Sequence, residues 1–191
     1  MKYNRDIHHR RSVRLREYDY SRPGMYFITI CTQNKECLFG DVVDGEMVLN
    51  EHGRIARDEW VRAGGLRAEI ELGQFVVMPN HLHGIVIIRR NAVGATGRSP
   101  LQTRRGPQPK SLGAFVAGFK PAVTRRINKL NDSPGVSVWQ RNYYEHVVRD
   151  ENELARIREY IANNPAKWEF DRENPMVSLG NRQGRQDEPW A

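Results

Sequence analysis

Two histidines one residue apart, His81 and His83, stand in the otherwise apolar stretch VMPNHLHGIVII (77–88). In an extended chain alternate side chains share a face, so both imidazoles point one way and Leu82 the other. Two imidazoles on one face can share a divalent cation, each through one ring nitrogen. The competing reading is that one or both rings simply hydrogen-bond. A closed zinc site wants four N or S ligands, and this spacing offers two. It suits an open, hydrated site, the kind that does chemistry. The stretch ARIREYIANNP (155–165) offers partners for such a site. Tyr160 and Asn164 are four apart and share a helical face. Asn164 can give a metal its amide oxygen, and Tyr160 can present a phenolic oxygen beside it. Core packing competes for Tyr160, because Leu154, Ile157 and Ile161 already form an apolar stripe. Tyr143 and Tyr144 are rival phenols in an alternating segment, one facing the core and one facing solvent.

The elements that must position these groups are readable in outline. MYFITICTQ (25–33) is rich in β-branched and aromatic residues and predicts a strand. MVLN after the turn VDGE predicts the second strand of a hairpin. NEHGRIARDEW (50–60) has Ile55, Glu59 and Trp60 at helical spacing, with Asn50 as N-cap. AEIELGQFVVM (68–78) predicts a strand broken at Gly73, and a Pro79–Asn80 turn returns the chain into the histidine strand. A helix is expected from Ser111, kinked or restarted at Pro121. VSVWQRNYYEHVVR (136–149) is strand-like. DENELARIREYIANN (150–164) is a helix that Asp150 caps, Glu153 completing a capping box and Pro165 ending it. Strand pairs on short turns, interleaved with helices, predict an α+β sandwich around an antiparallel sheet.

Charge narrows the partner. The 191 residues carry a net charge of +7, and its distribution is uneven. Between Leu72 and Asn131 there is no Asp or Glu, yet there are ten Lys and Arg. A second basic block holds Arg10, Arg11, Arg14 and Arg16. Such segregation favours a polyanion through counterion release. The plainer alternative is a solvated basic surface. No run of about 18 apolar residues is present, so no membrane partner is expected. The basic N-terminus lacks the apolar core of a secretory signal. Cys31 and Cys37 are too few for a disulfide framework and are expected as reduced thiols, which points to the cytoplasm.

The segment MPNHLHGIVII followed by VWQRNYYEHVVRDENELARIREYIANNP resembles the single-tyrosine HUH transposases, and in particular the REP-associated tyrosine transposases. The resemblance spans about residues 18–168. It maps the family's His-hydrophobe-His motif onto His81-Leu82-His83 and its Tyr-x-x-x-Gln/Asn helix motif onto Tyr160 to Asn164. It thereby implies Tyr160, rather than Tyr143 or Tyr144, as nucleophile, and a ferredoxin-like antiparallel sheet flanked by helices, the HUH endonuclease fold. The expected organisation is a basic arm (1–20), a single transposase domain (21–170) with a basic loop at 91–110, and a tail (171–191).

The resemblance further implies Mg²⁺ or Mn²⁺ held by His81, His83 and Asn164. The reaction it implies is nicking and rejoining of single-stranded DNA at palindromic hairpins through a 5′-phosphotyrosine. Arg89, Arg104, Arg105, Lys120, Arg125 and Arg126 would grip phosphates. Bases could stack on Tyr3 or Trp139, although a core position is the expectation for Trp139. Insertion-sequence relatives carry Gln where this chain has Asn164; REP-associated members accept Asn. Monomer and homodimer remain open. The alternative function is a domesticated hairpin-DNA-binding protein that no longer cuts. A larger replication initiator or relaxase, and a small structural zinc protein, are further rivals.

Overall fold

The computed structural model of the chain describes residues 18–89 and 107–178. The β-branched and aromatic runs become strands β1 (Gly24–Cys31), β2 (Gly40–Val43), β3 (Glu46–Leu49), β4 (Ile70–Met78), β5 (His81–Ile88) and β6 (Tyr144–Val148). The amphipathic runs become α1 (Glu51–Gly65), α2 (Leu112–Leu130) and α3 (Glu151–Asn163), and a short α4 (Pro175–Ser178) follows. The caps expected at Asn50 and Asp150 form, and Ser111, from which a helix is expected, caps α2 as well. Asn50 accepts from the Gly53 N–H, Ser111 from Ala114 and Asp150 from Glu153. The Glu153 carboxylate reaches back to the Arg149 N–H at 2.6 Å, one residue before the cap. Pro121 lies inside a continuous α2. After α3 the chain does not stop at Pro165 but tightens into a 3-10 helix, Pro165–Phe170.

Four strands form one antiparallel sheet in the order β4-β5-β1-β6, and β2 and β3 form a separate hairpin. β5 lies antiparallel to both β4 and β1, so β1 and β4 run the same way with β5 between them. The crossover between them carries α1; the matching crossover from β5 to β6 carries α2. This is the split βαβ arrangement of a ferredoxin-like fold, the α+β architecture that the motifs led us to expect.

The pleat sorts side chains between two layers. Ile28, Leu82 and Val86 pack with Ile55 and Trp60 of α1 and Phe115 and Phe119 of α2. The alternate residues, Phe27 and Ile85, pack with Leu154, Ile157 and Ile161 of α3. Trp139 is buried in the first layer, as a core residue. Gly84 is the close approach that lets α1 settle: a Cβ there would meet the Trp60 ring at 2.5 Å. Gly73 sits at the irregularity between Leu72 and Phe75 in the β4 register.

Candidate metal and tyrosine site

β5 is an interior strand, and its register sets the site. His83 pairs with Thr29 of β1 and Val76 of β4, and His81 pairs with Cys31 and Met78. Both imidazoles face the α3 layer, and both are buried. Their ring centroids are 4.3 Å apart. Phe27 stacks on His83 at 5.3 Å and meets Tyr160 edge-on at 6.1 Å, so one apolar ring props both polar ones.

The tautomers follow from the outer partners. The Asn80 amide NH₂ donates to the carbonyls of Lys35 (3.1 Å) and Glu173 (2.6 Å). Its oxygen therefore faces His81 Nδ1, 2.8 Å away, and that nitrogen carries the proton. The Nε2 lone pair of His81 is left pointing inward. His83 Nδ1 is bonded to Thr29 Oγ1 at 2.8 Å, and its Nε2 lies 3.3 Å from the Tyr160 hydroxyl. Burial lowers the pKa of both rings, helped at His83 by its neighbours His81 and Arg172, so both imidazoles are neutral, the form that binds metals.

Asp171 completes the cluster, and sequence spacing did not point to it. One ligand atom from each of His81, His83 and Asp171 lies within 4.8 Å of the other two. The Asp171 carboxylate is 3.9 Å from His81 Nε2 and accepts from the Asn164 NH₂ at 3.0 Å. Asn164 is buried as the C-cap of α3, four residues on from the half-buried Tyr160. Within this site, His81 Nε2 and Asn164 Oδ1 are buried acceptors with no hydrogen-bond partner among the described residues. A lone pair stranded away from water is costly. A cation held by His81, His83 and Asp171, with Asn164 Oδ1 as a further oxygen, would satisfy both. Two imidazoles with oxygen donors suit Mn²⁺ better than Mg²⁺, which prefers all-oxygen surroundings.

A strap of residues after the 3-10 helix delivers Asp171. Asp171 and Asn174 are buried although the sequence reading assigned 171 onward to a tail. Glu173 anchors the strap: its N–H donates to Asp171 Oδ1, and its carboxylate pairs with Lys35 at 3.0 Å. Burial pushes the Glu173 pKa up, but Lys35 outweighs it and holds the group below the usual carboxylate range. The Cys31 thiol donates to the same carboxylate at 3.4 Å, and burial keeps it a thiol.

Tyr160 is half-buried, and burial together with the nearby Asp171 charge raises its pKa well above the ordinary phenol. It is therefore a phenol, with its hydroxyl 3.3 Å from His83 Nε2 and placed to donate to it. Of the rival phenols, Tyr144 lies on the same sheet face and packs at the edge of the α3 layer, while Tyr143 packs against the opposite core.

Of the cations named for phosphate contact, Arg89, Lys120 and Arg126 make contacts of their own outside the histidine cluster. Arg125 and Arg126 are exposed on α2, across the sheet from the histidines, and Arg126 bonds the buried Glu59 at 2.9 Å. The Lys120 ammonium donates to the carbonyls of Gln140 and Arg141 and sits at a long 3.5 Å from that of Asn142. Arg89, just past β5, pairs with Glu71. Arg104, Arg105, Tyr3, most of the basic arm and most of the 91–110 loop lie outside the described residues.

No family model matches the chain. An uncharacterized protein of Haemophilus influenzae is 45% identical over 175 residues, covering 89% of this chain and 96% of its own length. A second Haemophilus influenzae protein, provisionally named a REP-associated tyrosine transposase, is 24% identical over 151 residues, 78% of this chain and 74% of its own. Among solved structures, a REP-associated tyrosine transposase bound to a REP hairpin superposes with a TM-score of 0.56 at 18% identity, over 84% of this chain and 76% of that one. The fold is similar to that of a REP-associated tyrosine transposase, and a relative provisionally given the same name is found by sequence as well. More narrowly, the chain belongs to the family of the uncharacterized Haemophilus influenzae protein. Among the described residues no helix is long and apolar enough to cross a membrane.

Proposed function

We propose that this protein nicks and rejoins single-stranded DNA beside palindromic hairpins, with Tyr160 as nucleophile. One observation carries the reading: the Tyr160 hydroxyl lies 3.3 Å from Nε2 of His83, inside a cluster of His81, His83 and Asp171 able to hold a divalent cation. The hairpin substrate is carried over from the similar solved structure, which is bound to one. Exposed Arg89, Arg125 and Arg126, with Arg104 and Arg105, would add phosphate contacts away from the reacting atoms.

The residues divide the work. His81, His83 and Asp171 would hold Mn²⁺ or Mg²⁺, with Asn164 as a further oxygen ligand. Such an ion supplies Lewis-acid polarisation of a phosphoryl oxygen and favours the phenolate form of a nearby tyrosine. His83 Nε2 has one lone pair, so it serves either the phenol or a cation, not both. In the reaction the Tyr160 Oη–P bond forms as the P–O3′ bond breaks. The phenol gives up its proton and the departing 3′-oxygen gains one. The phosphodiester is conserved as a 5′-phosphotyrosine, so a 3′-hydroxyl can reverse the step and rejoin strands.

The test is a denaturing gel with a labelled single-stranded oligonucleotide carrying a palindrome from the DNA flanking the gene. A covalent protein–DNA band that requires Mn²⁺ and is absent in Tyr160→Phe is the expected result. Cleavage surviving in Tyr160→Phe would move the nucleophile to Tyr144. Binding with no cleavage by the wild type would favour the domesticated binder.

A further inference from the structure

Different parts of the chain hold the histidine side and the carboxylate side of the cluster, and Lys35 touches both. Its carbonyl accepts from the Asn80 amide NH₂ at 3.1 Å, and the oxygen of that same amide faces His81 Nδ1 at 2.8 Å. Its ammonium reaches the strap, pairing with the Glu173 carboxylate at 3.0 Å and donating to the Arg172 carbonyl at 3.3 Å. The Glu173 N–H in turn donates to Asp171 Oδ1 at 2.6 Å, and Asp171 Oδ2 lies 3.9 Å from His81 Nε2. The contacts close a ring that runs from His81 through Asn80, Lys35, Glu173 and Asp171 back to His81. Its last side, 3.9 Å, is too long for a hydrogen bond and faces the position the cation would take.

Lys35 reaches both sides from a strained backbone. Asn34 and Lys35 lie in the left-handed region, with φ of 56° and 58°. Asn visits that region routinely, whereas a lysine there persists only where its surroundings over-determine it. The surroundings do so here. The Lys35 N–H donates to the Thr32 carbonyl at 3.2 Å, and the Thr32 N–H and hydroxyl both donate to the Asn80 carbonyl, at 2.8 and 3.0 Å. The turn at Gln33–Lys35 is thereby tied to the turn that enters β5 at His81. The Lys35–Glu173 pair contributes little as an ion pair, because the lysine side chain is 37% exposed. It matters for where it puts the strap. The other groups near this carboxylate are the neutral Cys31 thiol at 3.4 Å and Arg172 Nε at 3.5 Å.

We infer that Lys35 is a positioning residue that clamps the 171–173 strap to the Asn80 turn and so holds Asp171 opposite His81 for the cation. This rests on the cation site read above and adds to it the group that sets its shape. Lys35 acts through Asn80 and Glu173 and touches neither the cation nor DNA. Charge alone makes the opposite prediction. An ammonium beside a cation site repels the ion, so removing it would tighten binding. Removing a clamp weakens binding, by about the 10–100-fold that outer partners of a metal site contribute. The sign of the change separates the two.

The test is a calorimetric Mn²⁺ titration of the full chain as wild type, Lys35→Met and Lys35→Arg, with amide hydrogen exchange followed on the same proteins. Lys35→Met should bind Mn²⁺ about 10–100-fold more weakly, although it leaves the site more negative. Lys35→Arg should stay near wild type, because a guanidinium can hold the same carboxylate. The Glu173 amide, which donates to Asp171, should exchange faster in Lys35→Met, while the amides of β5 keep their wild-type protection. Lys35→Gly suits the left-handed backbone and covers the case in which Lys35→Met does not fold; the same weakening is expected of it. Unchanged or tighter Mn²⁺ binding in the folded variant overturns the clamp and leaves the cation site standing. A loss that Lys35→Arg shares in full also overturns it, since the ammonium's contact would then not be what matters. A wild type that binds no Mn²⁺ overturns the cation site and the clamp together.

Discussion

Asp171 and Asn80 are the residues on which the site depends beyond its histidines. Asp171 supplies the carboxylate of the cluster, so Asp171→Asn should weaken Mn²⁺ binding, measured by calorimetry or by the electron-spin signal of the free ion. A loss of at least about 10-fold is expected, the lower end of what outer partners of a metal site alone contribute. Retention of full Mn²⁺ affinity would remove Asp171 from the ligand set. Asn80 acts through others: its amide bonds His81 Nδ1, the Lys35 carbonyl and the Glu173 carbonyl at once. Asn80→Ala leaves these buried groups unpaired and should lower stability by about 2–4 kcal/mol. It should also weaken Mn²⁺ binding about 10–100-fold, because the His81 tautomer is no longer held. Denaturant unfolding and a metal titration on the same preparation check both. A stability loss with unchanged metal affinity would make Asn80 a turn residue only.

At the scale of elements, α3 must present Tyr160 and Asn164 to the sheet, and its start is built to do so. The Glu153 carboxylate accepts from the Arg149 N–H and pairs with His146 of β6 at 2.8 Å, tying helix to strand. Burial tends to raise the Glu153 pKa, but these bonds prevail and hold it below its ordinary 4.5. A carboxylate bound more tightly to its partners in the folded state than in the unfolded one adds stability above that ordinary value, and the benefit is lost as the pH falls through the lower folded value. Glu153→Gln should therefore reduce stability at neutral pH and flatten the acid limb below about pH 4.5 in a stability-against-pH series. An acid limb identical to wild type would contradict the linkage. On the opposite face, Gly84 lets Trp60 of α1 rest on β5. Gly84→Ala should cost about 1–3 kcal/mol through overpacking, measured by urea unfolding, since a ring already 2.5 Å from the new Cβ cannot yield cheaply.

Across the whole molecule, Lys120 links α2 to the loop that leads into β6. Burial draws its pKa down to about 8 from the ordinary 10.5. The folded protein then holds this proton less tightly than the unfolded chain, so unfolding takes up a proton between these values. Stability should rise with pH across about 8 to 10.5 by this contribution, and Lys120→Met should remove the rise. A pH series of unfolding free energies on both proteins decides it; parallel curves would show that the ammonium is not desolvated.

The sequence by itself determined the local parts of this protein. The His81–His83 face, the Tyr160–Asn164 face, the caps at Asn50 and Asp150, the helix start at Ser111 and the Pro79–Asn80 turn all follow from spacing or residue type within one element. Periods of 2 and 3.6 state which side chains share a face, and short polar residues at helix starts state where helices begin. Such rules are silent on which layer a face joins. Only the tertiary structure decided that α3 covers the histidine face while α1 and α2 cover the other, which sets Arg125 and Arg126 across the sheet from the site. Only it brought Tyr160 to His83, 77 residues away in the chain. It also carried Asp171 and Arg172 in on a strap whose turn-rich composition resembles a tail. The physical reason is the same in each case. Periodicity is a property of a residue's own element, whereas these placements follow from which apolar surfaces bury against each other and which carbonyls and ammonium groups the strap finds when they do.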